Sequence, residues 1–143
     1  MKKNIKTIVY CIFISLLITA CNESKYSIFG TPVWQVDNNA GYYENMTAVV
    51  KIPDNLAKSA NENDQLAAFS EDGQCRGVGV FINGLYFVSI KGAPEERSAI
   101  CFKYYSAKKS YLYQTEFLFT FDADQIFGTV DEPQILLLTI VII

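Results

Sequence analysis

The sequence predicts an all-β domain, an antiparallel sandwich or barrel of about seven to nine strands. Three observations carry that prediction. Short runs rich in β-branched and aromatic residues recur along the chain. Clusters of Gly, Asn, Asp and Pro separate them. No stretch beyond the first 26 residues holds the apolar spacing of an amphipathic helix.

Taken in order, Thr31–Val36 reads as a short first strand carrying Val33 and Trp34. Met46–Ile52 is β-branched and apolar and stops at the turn signal Pro53-Asp54-Asn55. Asp54–Asp64 is the least strand-like stretch, a surface loop with room for one helical turn. Gln65–Phe69 and Cys75–Ile82 flank Glu71-Asp72-Gly73, a hairpin turn in which Gly takes positive φ at little cost. Asn83-Gly84 is a second hairpin signal of the type I′ class, returning through Leu85–Ile90. Gly92–Glu96 is a loop, after which Ala99–Tyr105, Ser110–Gln114 and Glu116–Phe121 read as strands. Ile135–Ile143 is the last, apolar at every position but Thr139. A strand of that kind calls for burial on both faces, either centrally in its own domain or inserted into a neighbouring subunit.

Residues 1–20 have the layout of a secretory signal: Lys2, Lys3 and Lys6, then an apolar run from Ile8 to Ile18, then the small pair Thr19-Ala20. The run is about half the roughly 20 residues a spanning helix needs. Leu17-Ile18-Thr19-Ala20-Cys21 resembles the bacterial lipobox, which implies lipid on Cys21, cleavage before it and retention at a membrane. The expected organisation is a signal peptide over 1–20, a lipidated tether over 21–26 and one β-sandwich domain over 27–143.

Removing residues 1–20 takes three of the 12 basic residues and none of the 15 acids, leaving a net charge of −6. That acidity argues against nucleic acid, which needs a basic footprint. Histidine is absent, which removes the commonest general base and zinc ligand and the usual partner of a nucleophilic Ser or Cys. Neither a metal nor a cofactor is assigned to any residue set. Asp122, Asp124, Asp131 and Glu132 gather near Gly128, and a solvated acidic loop is preferred there to a cation site.

Of four cysteines, Cys11 leaves with the signal and Cys21 takes lipid. Cys75 and Cys101 remain in a compartment that permits disulfides, and the sequence leaves open whether they pair or stay as buried thiols. Arg76 is expected to make a structural ion pair with an acid such as Asp64 or Asp122, its planar fork suiting a carboxylate. Trp34 is expected in the core. Among the aromatics, Tyr42, Tyr43, Tyr104 and Tyr105 are the candidates for ligand contact. Neighbours in a strand point to opposite faces, so each pair should offer one outward ring able to stack on a sugar.

Trp34, Met46-Thr47, Asp64, Ala68-Phe69, Glu71-Asp72, Cys75-Arg76-Gly77, Tyr86-Phe87, Phe102-Lys103-Tyr104-Tyr105, Phe121-Asp122, Gly128-Thr129 and Pro133 follow one another in a set order. The order resembles a module of secreted and surface proteins of Bacteroidetes. The resemblance implies an immunoglobulin-like β-sandwich, an extracytoplasmic setting and an accessory, non-catalytic role. Cys101 departs from that pattern, where a plain strand residue is usual. The expected function is that of an outer-membrane lipoprotein binding a glycan or a surface protein, held by lipid on Cys21. The alternative is a structural subunit of a surface assembly, joined through the last strand.

Overall fold

A computed structural model describes residues 26–143, and the chain there is almost entirely β. The signal segment and Cys21 lie outside the described residues. The strands are β1 (Glu44–Lys51), β2 (Gln65–Ser70), β3 (Cys75–Ile82), β4 (Leu85–Gly92), β5 (Ala99–Ser106) and β6 (Tyr111–Gln114). Four two-residue strands follow: β7 (Phe119–Thr120), β8 (Ile126–Phe127), β9 (Gln134–Ile135) and β10 (Thr139–Ile140). The helical turn α1 (Asp54–Ala57) begins just after Pro53 and buries Leu56.

The two hairpin signals place the central strands. Asn83 and Gly84 both take positive φ, 50° and 83°, as a type I′ turn requires, and join β3 to β4. Between β2 and β3, Gly73 takes φ 82° and Asp72 accepts the Gln74 N–H at 3.2 Å. The strands run β10-β6-β5-β2-β3-β4-β1-β8 across one curled sheet. Within it, β5 returns to lie beside β2 after the β2-β3-β4 meander, a Greek-key order. The principal pairings are antiparallel as expected, but β8 and β9 join β1 in parallel, so the sheet is mixed.

β3 is the corner that folds the sheet into two layers. Its first half pairs with β2 as far as Val78, and its second half pairs with β4 from Gly79. A bulge between Ala68 and Phe69 sharpens the twist where this happens. Gly77 and Gly79 make the passage possible. A Cβ on Gly77 would sit 2.3 Å from the Ser89 carbonyl oxygen, and one on Gly79 3.1 Å from that of Leu66.

The core lies inside the curl. Met46, Ala48 and Val50 of β1 meet Leu66 and Ala68 of β2, Val88 and Ile90 of β4, and Ile100, Phe102 and Tyr104 of β5. The period-2 alternation read from the sequence is what aims these side chains inward.

Thr31–Val36, expected as the first strand, forms no strand. It runs over the outer face of the β2/β5 layer, where Trp34 packs edge-on against Phe69 at 5.5 Å and is half-buried. Trp34 therefore belongs to a second, outer cluster with Ala67, Phe69, Cys75 and Cys101 rather than to the main core.

The last segment differs most from expectation. It is split into β9 and β10, each held by two residues, and its side chains alternate. Leu136 is 1 % exposed and Leu138 and Ile140 pack on the core, while Ile135, Leu137, Ile142 and Ile143 face outward. The short ladders fix one face inward, and nothing among the described residues covers the other.

Candidate functional site

Arg76 is 3 % exposed and sits at the bulge, with its fork filled by its own domain. Its Nη1 donates to Glu96 Oε2 at 2.9 Å and to the Lys91 carbonyl at 3.1 Å, its Nη2 donates to Glu96 Oε1, and its Nε donates to Ser70 Oγ at 3.0 Å. The ring of Tyr42 covers the guanidinium 4.0 Å away. Glu96 also accepts the Ala93 N–H at 2.6 Å and the Ser98 hydroxyl at 2.7 Å. These donors, Arg76 foremost, hold its carboxyl down at about 2. The ion-pair partner of Arg76 is Glu96, and neither Asp64 nor Asp122. Asp64 instead ties the loop before β2 to the end of β5, accepting from the Tyr104 hydroxyl at 2.5 Å and the Ala107 N–H at 2.8 Å. Asp122 meets Arg97 at 3.3 Å on the surface.

The four tyrosines read as ligand contacts do not form a platform. Tyr42 is spent on Arg76, and Tyr104 lies in the core against Tyr86 and Tyr113. Tyr105 does point to the outer face, but that face is roofed by the extended N-terminal segment, whose Phe29 carbonyl accepts its hydroxyl at 3.4 Å. Only Tyr43 is open, 85 % exposed and without an aromatic neighbour among the described contacts. The strand-alternation argument misjudged the second pair because a non-strand segment supplies a third layer.

Cys75 and Cys101 are both free thiols, and the sheet register says why. Phe69 of β2 is the cross-strand partner of both, Cys75 on one side and Cys101 on the other. Two strand spacings put their backbones roughly 10 Å apart, beyond the ~7 Å limit for a bridge. Burial pushes both thiols up from their ordinary range, so both stay protonated. Two thiols should titrate in denaturant without reductant in the mature chain, with none hidden in a bridge; finding none would refute this register.

What the structure does leave open is the far half of β3. Val80, Phe81 and Ile82 are three successive exposed apolar residues, so both faces of the strand are in water there. Beside them lies a cleft of about 360 Å³ lined by Ala57, Ala60, Asn61, Glu62, Phe81 and Tyr86. It opens because β2 and β3 part company after Val78 and the α1 loop stands across the gap. Phe81 leans on Tyr86 at 4.9 Å, forming one wall and the floor. Burial, with the nearby Asp64 charge second, pushes the Tyr86 hydroxyl up to about 12, so it is a neutral donor at ordinary pH. Asn61 and Glu62 supply the polar part of the lining. Such a set can hold an apolar group against two rings and hydrogen-bond it at the rim; it has no paired nucleophile and base. Of these residues the sequence pattern named only Tyr86, and none as a site residue. One signal was there: no charged residue falls between Arg76 and Lys91.

Among the described residues, no group of three carboxylates or cysteines stands close enough to hold a metal ion. Comparison with protein-family models, with curated proteins and with solved structures finds no match to this chain.

Proposed function

We propose that the chain is an outer-membrane lipoprotein, tethered through Cys21, whose β-sandwich is a non-catalytic extracytoplasmic binding module. One observation carries the binding half: the uncharged β3–β4 hairpin with Val80, Phe81 and Ile82 exposed beside an open cleft. Soluble domains rarely leave such a patch without a partner. The order of charges, apolar run and small residues before Cys21 supports the tether. The lack of histidine supports a binding rather than a catalytic role.

The test has two arms. A palmitate analogue should label the wild-type protein in cells and leave Cys21→Ser unlabelled; a labelled variant sinks the tether. The soluble domain starting at Ser24, probed on glycan and envelope-protein arrays, should bind a set that Ile82→Lys no longer binds. Equal binding by the two proteins would move the site elsewhere.

A second reading, a subunit of a surface assembly, is favoured by the outward row Ile135, Leu137, Ile142 and Ile143. It requires concentration-dependent oligomers that disappear when residues 135–143 are trimmed.

A further inference from the structure

We infer that the cleft beside β3 takes an extended polypeptide segment, which adds as a strand to the free edge of Val80–Ile82 and seats an apolar side chain against Phe81 and Tyr86. The inference deepens the binding-module reading and rests on it.

The edge comes first. An antiparallel strand turns the N–H and C=O of alternate residues to opposite sides. Gly79–Ile82 spends one side on β4, in register with Leu85–Val88. On the other side β2 pairs only up to Val78 and Gly79 still lies against the Leu66 carbonyl, so the backbone of the next three residues, Val80–Ile82, has no strand partner there. An open edge of that kind is a template for another extended chain. Natural edges are usually blunted by charge or proline. Here the run from Gly77 to Ile90 contains neither.

The chemistry of the occupant follows from what surrounds the edge. Main-chain donors and acceptors in a row are matched by another main chain, whereas a sugar presents no such repeat. Only Phe81 among the exposed rings borders the cleft; Tyr43 stands at the opposite end of the sheet, beside the Glu44–Gly92 pair. A stacked oligosaccharide would thus find a single exposed ring, since Tyr86 at the cleft is only 3 % exposed. A strand laid on this edge projects every second side chain to the cleft side, and a volume of about 360 Å³ admits one large apolar or aromatic group. Glu62 is the one charged residue lining the cleft, so a basic residue beside that group is favoured. The occupant is therefore an extended segment of a protein partner, alternating in pattern, with a bulky apolar residue and a neighbouring Lys or Arg.

The experiment uses the mature protein as the cell exports and processes it, panned against a phage-displayed library of random dodecapeptides. Enriched peptides should alternate, carry one large apolar residue and bind wild type. Methylating alternate backbone nitrogens of the best peptide should weaken binding about tenfold or more on one set of positions and leave the other set unchanged. Ala60→Trp, which fills the cleft from an exposed loop position, should abolish binding without touching the core, and Ile82→Lys should do so from the edge. Peptides insensitive to backbone methylation would overturn strand addition. No enrichment together with Ile82-dependent glycan binding on the arrays would overturn the peptide while leaving the binding module intact. A wild-type dimer that Ile82→Lys converts to monomer, with no peptide bound by either, would assign the edge to a second copy and also overturn it.

Discussion

Replacing Arg76 with Ala is expected to cost about 3–5 kcal/mol, because it strands a largely buried carboxylate without its cation. Glu96 is the group left behind, with only the Ala93 N–H and the Ser98 hydroxyl to satisfy it. The same change strips a donor from Ser70 Oγ and from the Lys91 carbonyl and removes the charge beneath Tyr42. The loss thus falls where β2, β3, β4 and the loop before β5 meet. Glu96→Gln should weaken the fold less, since an amide still accepts one bond from the fork. Removing both partners together, Arg76→Met with Glu96→Leu, should recover much of the stability, as apolar isosteres often do.

The pair also fixes how stability varies with acid. The carboxyl of Glu96 is held near 2, below its ordinary 4.5, chiefly by the Arg76 hydrogen bond. Its folded value is lowered, so the contribution is complete above about pH 5 and is lost as pH falls toward 2. A shift of that size corresponds to something on the order of 3 kcal/mol. Denaturant melts at pH 7, 4 and 2.5 should show wild type losing stability across that window and Arg76→Ala losing much less. Parallel curves for the two proteins would mean that the pair does not hold this corner together.

The strands were legible because each rests on local rules. Asn83-Gly84 names its own turn, and Met46, Ala48, Val50 and Ile52 fall on one face by alternation alone. The site was less legible, for three separate reasons. Glu96 follows Arg76 by 20 residues and meets it only because a loop folds over the bulge. Tyr105 occupies an outward position that sequence would leave in water, and the unpaired segment around Phe29 and Trp34 covers that layer. The cleft exists because β3 changes layers after Val78, a geometric event that Gly77 and Gly79 permit but do not announce. The free thiols fall between these cases: two cysteines flanking one phenylalanine become evident once register is known.

Leu136→Ala is expected to cost about 2–5 kcal/mol, while Leu137→Lys one position later should cost close to nothing. The contrast matters because the sequence from Ile135 to Ile143 treats its two faces alike. Leu136 is 1 % exposed and belongs to the main core with Val50 and Phe127, and its N–H donates to the Lys51 carbonyl at 2.9 Å. Truncating it removes buried methyls from a place that the backbone pins against β1, so the cavity cannot close by local collapse. Leu137 is 82 % exposed, and a lysine there keeps its ammonium in water without disturbing the ladder. Leu138→Lys should again be costly, because that side chain packs on the core from the β10 side. The three variants together distinguish a seated strand from an apolar tail. A tail would make all three neutral, and a strand buried on both faces would make all three severe. The alternating outcome also bears on assembly. If Leu137→Lys leaves the monomer as stable as wild type but dissolves an oligomer, the outward row is an interface. If it changes neither stability nor association, Ile135, Leu137, Ile142 and Ile143 are simply the solvent side of an edge.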